Sequence, residues 1–158
     1  MKREAQMPLA DATAAHRSLL TEATTSLVGY RLRRAQLSVF HRFLLLFDDL
    51  RLRPAEYSVL VLIADNPGRK QTEIARVLGI KRANFVTLVH GLAQRRLVER
   101  AASADDRRAN ALHLTAEGRD FVARARALHD AMEAELVSRL GGPGERDRLL
   151  SLLDRLTT

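Results

Sequence analysis

The stretch QTEIARVLGIKRANFVTLVHGLAQRRLVERAASADDRRANALHLTAEG, residues 71–118, decides the fold. Its first segment carries Ile74, Ala75 and Leu78 at helical spacing and ends at Gly79, the residue type that best tolerates the left-handed turn after a helix. A second helical segment, about residues 82–95, gathers Phe85, Leu88, Val89 and Leu92 on one face. That leaves Lys81, Arg82, Asn84 and Thr87, with His90 further along, on the other. Two short strand-like pieces, residues 97–100 and 109–114, then flank a polar turn holding Asp105, Asp106, Arg107 and Arg108. Helix, turn, helix and an arginine-tipped hairpin is the order of a winged helix-turn-helix. In that layout one helix enters the major groove of DNA and the hairpin reaches the minor groove.

Charge is focused on the same stretch. Residues 69–108 hold ten basic side chains against four acidic ones, most of the chain's formal net charge of +7. A localised cationic patch is the electrostatic footprint of a polyanionic partner. On the second helix, arginine can read guanine and asparagine can read adenine with paired hydrogen bonds; which of Lys81, Arg82, Asn84 and Thr87 reach bases rather than phosphates stays open. Gln71 and Thr72, at the start of the preceding helix, are candidate phosphate contacts. An arginine at the hairpin tip would be drawn into a narrow, A·T-rich minor groove by its enhanced negative potential. Asp106 could orient Arg108 through a charge-assisted hydrogen bond. The competing reading is a plain hairpin turn in which Asp106 only caps the backbone.

Composition excludes several other classes. At 158 residues and 46% hydrophobic, the chain can bury a core. Only 4% of residues are aromatic and there is no Trp, so the stacking platform of a single-strand binder is missing. With no Cys, disulfides and thiol redox sensing are excluded. The five histidines are scattered, and no phosphate-binding glycine loop or nucleophile elbow occurs. The expectation is therefore no enzyme, no metal and no cofactor. The longest apolar runs are too short to cross a membrane, and the first residues lack an apolar signal core. A cytoplasmic protein is expected.

The rest of the chain reads as helix. Residues 1–24 form an N-terminal arm, loose or shortly helical. Apolar residues recur from Leu27 through Tyr30, Val39 and Phe43 to Leu50, predicting one helix over about 25–49. Pro54 opens another helix that stops at Asn66-Pro67-Gly68. Thr115 suits an N-cap for a long helix to Leu140, with Phe121, Leu128, Met132, Leu136 and Leu140 along one side. A break at residues 141–144 precedes a last helix bearing Leu149, Leu150, Leu153 and Leu156. The terminal helices carry more apolar surface than one small winged domain needs. This predicts a homodimer, whose two reading heads would suit a pseudo-palindromic duplex. The expected architecture is mainly α with a small β-hairpin wing. A winged helix-turn-helix DNA-binding domain spans 51–115, and a helical dimerisation region comes from 25–50 and 116–158.

The order of elements, closing in DRRANALHLTAEG, resembles the MarR family of bacterial transcriptional regulators over about residues 26–156. The most specific part is Asp106-x-Arg108 followed by Leu114-Thr115 and Gly118. The resemblance implies that Arg108 enters the minor groove, that Asp106 holds its guanidinium, and that Arg107 contacts phosphate or the same groove. This chain has Arg96 where many members have Gly. In the family, effectors bind between the dimerisation helices and the winged domain. The first helix places Tyr30, Arg31, Arg33 and Arg34 beside Phe40, His41 and Phe43, and is similar to members that respond to hydroxycinnamoyl-CoA thioesters. An aromatic acyl-CoA or an aromatic carboxylate is the implied effector. The same arginines could instead make interchain salt bridges or contact DNA phosphates. Two other classes remain beside a ligand-released repressor: a winged-helix protein-interaction module, and an architectural DNA binder without an effector.

Overall fold

The computed structural model describes residues 22–102 and 110–157. The chain divides into two compact units, residues 1–38 and 39–158. The first contains α1 (Glu22–Thr25) and the start of α2 (Val28–Leu46). Within it, Arg31 Nε donates to the Thr25 carbonyl at 2.5 Å, across the turn that separates the two helices. The single helix expected over 25–49 is thus interrupted near Ser26–Leu27 and ends at Leu46.

The second unit holds the rest of α2, then α3 (Pro54–Asp65), β1 (Arg69–Lys70), α4 (Gln71–Val77), α5 (Arg82–Gln94), β2 (Val98–Ala102), β3 (Asn110–Leu114), α6 (Ala116–Leu140) and α7 (Pro143–Thr157). Pro54 opens α3, where its missing N–H costs nothing. Glu56, at the third helical position, accepts from the Arg53 backbone N at 2.8 Å. Glu73 does the same for Lys70 at the start of α4, at 2.9 Å. Val59, Leu60 and Ile63 of α3 are fully buried, so this helix is the axis of the core. Phe47 from the turn after α2, Phe85 and Leu92 from α5 and Leu112 from β3 close around it.

The sheet has the order β1-β3-β2, antiparallel throughout. The hairpin pairs Val98 with Leu114 and Ala102 with Asn110. The first wing strand starts one residue later than the sequence predicts, at Val98. A third strand, unforeseen, pairs Arg69 with Leu112 and Lys70 with Ala111. Two residues are too few for an alternating pattern to register. Leu140, at the end of the apolar side of α6, is exposed, and α7 buries none of its residues within the chain.

Three helices end in one backbone motif. In each, an N–H bonds back five residues and the one before it bonds back three, the Schellman pattern. After α4 these are Ile80 to Ala75 (2.9 Å) and Gly79 to Arg76 (3.1 Å). After α6 they are Gly142 to Val137 (2.9 Å) and Gly141 to Ser138 (3.1 Å). After α5 they are Leu97 to Leu92 (3.0 Å) and Arg96 to Ala93 (2.9 Å). The motif requires a left-handed residue, and Gly79 (φ +63°) and Gly141 (φ +101°) supply it at two ends. At the third, Arg96 adopts φ +57°. The non-glycine at this position therefore leaves the turn intact but strains it.

Candidate nucleic-acid interface

The turn through Gly79 and Ile80 sets α5 across α4. Phe85, Val89 and Leu92 bury one side of α5, with Leu88 packed at the edge of the core. The opposite side is exposed: Lys81 at the N-cap, then Arg82, Asn84, Thr87 and His90. None of these five makes an ion pair among the described residues. Thr87 Oγ1 donates to the Ala83 carbonyl at 3.2 Å. Gln71 is half-buried and Thr72 exposed at the first turn of α4. Asp105, Asp106, Arg107 and Arg108 lie outside the described residues.

The cationic patch is smaller than its residue count. Arg95 is structural: its guanidinium donates to the carbonyls of Leu50 (2.8 Å) and Arg51 (3.1 Å) and lies 5.2 Å from the Phe121 ring centroid. Arg51 is itself left-handed (φ 45°), so Arg95 pins the turn after α2. Arg69 lies 3.7 Å from Glu73, an exposed pair screened by solvent. Among the described residues of α4, α5 and the turn between them, Arg76, Lys81 and Arg82 are exposed.

The seven residues proposed for an effector share α2. Tyr30, Arg31, Arg33 and Arg34 lie in the first unit, where Arg31 is engaged with Thr25. In the second unit, Phe40 and His41 are exposed, whereas Phe43 is buried and stacked on Phe47 at 3.9 Å between centroids. Phe43 is thus core.

Near it lies a cluster that sequence reasoning missed. Tyr57 of α3 stacks on His129 of α6 at 4.6 Å, both half-buried, with Phe43 and Phe47 edge-on to Tyr57. Burial, followed by the Asp130 charge, pushes the Tyr57 phenol above its ordinary value of 10.0. Arg126 is bonded to Asp65 at 2.5 Å. Arg42 pairs with Glu135, which also holds Arg139 at 2.8 Å, while Arg42 Nε is buried with no hydrogen-bond partner among the described residues. No local pattern joins Tyr57 to His129, 72 positions along, and only the packing of α3 on α6 shows it.

A helix-turn-helix with a three-stranded wing and an exposed, basic second helix defines a winged-helix protein of the kind built to read duplex DNA. The MarR family model matches residues 52–109. A protein described as the transcriptional regulator of the hcr operon in Thauera aromatica is 32% identical over 130 residues, covering 82% of this chain and 78% of its own length. The structure of the transcriptional repressor CouR bound to a 23-mer DNA duplex is similar with a TM-score of 0.82 at 44% identity, covering 89% of this chain and 99% of that one. CouR bound to p-coumaroyl-CoA gives 0.80 at 43% identity, covering 88% and 97%. The chain belongs to the MarR family, and these relatives are transcriptional regulators. Among the described residues no helix is long and apolar enough to cross a membrane.

Proposed function

We propose that this chain is a homodimeric, DNA-binding transcriptional repressor of the cytoplasm that an aromatic acyl-CoA releases from its operator. The observation that carries the reading is the likeness, at 43–44% identity over nearly the whole chain, to a repressor seen both on duplex DNA and with p-coumaroyl-CoA. No catalytic step is part of this function. Residues 51–115 act as the reading head. Arg82, Asn84 and Thr87 face the major groove, Gln71, Thr72 and Lys81 take phosphates, and Arg108, oriented by Asp106 and flanked by Arg107, takes the minor groove. Helices from residues 25–50 and 116–158 form the dimer. The exposed Leu149, Leu150, Leu152 and Leu156 on α7 need such a cover.

For the effector, Arg31, Arg33 and Arg34 offer guanidinium forks to CoA phosphates or to a free carboxylate, with Tyr30, Phe40 and His41 of the same helix available to the aromatic part. Tyr57 and His129 add a half-buried aromatic surface in the second unit. Release requires only that the ligand bind better to the form that does not fit DNA, and its effect is limited to that difference.

The test is an anisotropy titration on duplex fragments from beside the chain's own gene, with hydroxycinnamoyl-CoA, the free acids and CoA added in turn. The expected result is tight, strongly salt-dependent binding that the thioester reverses. Arg82→Ala and Arg108→Ala should each weaken binding by about 1–3 kcal/mol. No duplex binding, or binding that none of the ligands reverses, overturns the repressor or the effector half of the reading respectively.

A further inference from the structure

The exposed side of α5 is not uniformly polar. Ala83, Val86, Thr87 and His90 fall at i, i+3, i+4 and i+7, a single stripe opposite the buried Phe85, Val89 and Leu92. Val86 keeps 45% of its surface exposed at the centre of that stripe. Thr87 extends the apolar character, because its hydroxyl hydrogen is committed to the Ala83 carbonyl. What it can offer a partner is a γ-methyl and an acceptor, and no donor. The methyl groups of Ala83, Val86 and Thr87 therefore form a strip with Arg82 along one border and Asn84 along the other.

A surface that met only phosphates would gain nothing from such a strip, since apolar groups desolvate anions without pairing them. The major groove, however, displays one apolar group, the 5-methyl of thymine. Cytosine in its place presents an N4 amine, a donor that an aliphatic strip leaves unpaired. We propose that Val86, together with Ala83 and Thr87, reads thymine methyl groups, and that Val86 is a specificity-determining residue of the operator half-site. The inference rests on the reading of α5 as the major-groove helix and deepens it from DNA binding to the base that is read.

The experiment first lets the full-length chain select duplexes from a random pool. The selected duplex is then remade with thymine replaced by uracil one position at a time, which deletes the methyl and keeps every hydrogen-bonding group. One or two positions per half-site should lose about fourfold in affinity, the equivalent of about 0.8 kcal/mol for one buried methyl-sized group. Val86→Ala should weaken binding to the thymine duplex and erase the uracil penalty at its own position. Thr87→Ser should do the same at a neighbouring position. Arg82→Ala should weaken thymine and uracil duplexes alike. A selected half-site without thymine, unchanged affinity for every uracil duplex, or a full uracil penalty surviving Val86→Ala would each overturn the proposal while leaving DNA binding in place. A chain that selects no duplex overturns the repressor reading itself.

Discussion

Substituting alanine at Gly118 adds one methyl group where the structure has no room for it. A Cβ built on Gly118 would lie 2.0 Å from the Leu97 carbonyl oxygen and 2.9 Å from its carbon, whereas ordinary contacts begin at 3.4 Å. Relief would need α6 and the Leu97 peptide to part by about 1.4 Å. Neither side can yield easily. Leu97 is buried, its N–H is held by Leu92 at 3.0 Å, and its carbonyl accepts from Thr115 N at 3.2 Å. Thr115 in turn accepts from Gly118 N at 2.9 Å and donates to the Arg96 carbonyl at 2.5 Å. Overpacking of this kind costs about 1–3 kcal/mol, and more where backbone must move. Alanine's better helix propensity offsets only about 0.5–1 kcal/mol of that. The expected net loss is about 2 kcal/mol, or a fall in Tm of about 4–8 °C for a chain of this size.

Gly91 provides the control. It lies inside α5 with nothing within 4 Å of an added Cβ, so Gly91→Ala should raise stability by about 0.5–1 kcal/mol. Urea unfolding at one fixed protomer concentration, since dimer formation adds a mass-action term, measures both. If Gly118→Ala is as stable as the parent chain, the close approach of α6 to Leu97 is wrong.

Arg96→Gly should stabilise by about 1 kcal/mol, the left-handed penalty of about 1–2 kcal/mol less the extra entropy of glycine in the unfolded chain; an unchanged or lower urea midpoint contradicts the strained Schellman turn. Tyr57 should titrate later than an ordinary phenol when phenolate absorbance is followed against pH, and Tyr57→Phe should remove that late component. Because the folded pKa is raised, the stability Tyr57 contributes is fully present below pH 10.0 and is lost as pH climbs through the higher folded value. Replacing Leu149 and Leu153 with glutamate should give monomers by sedimentation and abolish operator binding; an unchanged dimer would show that α7 is satisfied within its own chain.

The helix-turn-helix was legible because its signals are local. The apolar spacing of Phe85, Leu88, Val89 and Leu92, the glycine after Leu78 and the Thr115 cap each act within one or two turns, and each recurs in the structure. What was not legible depends on residues far apart. Arg95 belongs by composition to the cationic patch, but its partners Leu50 and Arg51 lie more than forty positions back. Phe43 belongs by position to an effector surface, but Phe47 and Tyr57 enclose it. The strand at Arg69–Lys70 exists only because β3 offers it an edge. For the site, the exposed side of α5 follows from apolar spacing alone, while the Thr87 hydrogen bond that turns part of that side apolar depends on the hydroxyl rotamer in the folded helix.

These long-range contacts also bear on how the reading head holds its shape. Leu97 is one residue with three attachments: its N–H closes the end of α5, its carbonyl receives the first residue before α6, and the next residue begins β2. The spacing between α5 and β2 is thereby fixed through the Leu97 peptide, and the first turn of α6 rests on it at Gly118. A shift at the start of α6 cannot be absorbed there, because packed backbone has no intermediate positions to occupy. It must be passed to α5 and β2 together or break the Thr115 cap. A Gly118→Ala chain that still folds is therefore expected to bind operator more weakly than its stability loss accounts for. Measuring affinity well below its unfolding midpoint, where nearly all molecules are folded, separates the two effects: equal affinity there would mean that the α5–wing spacing is set elsewhere.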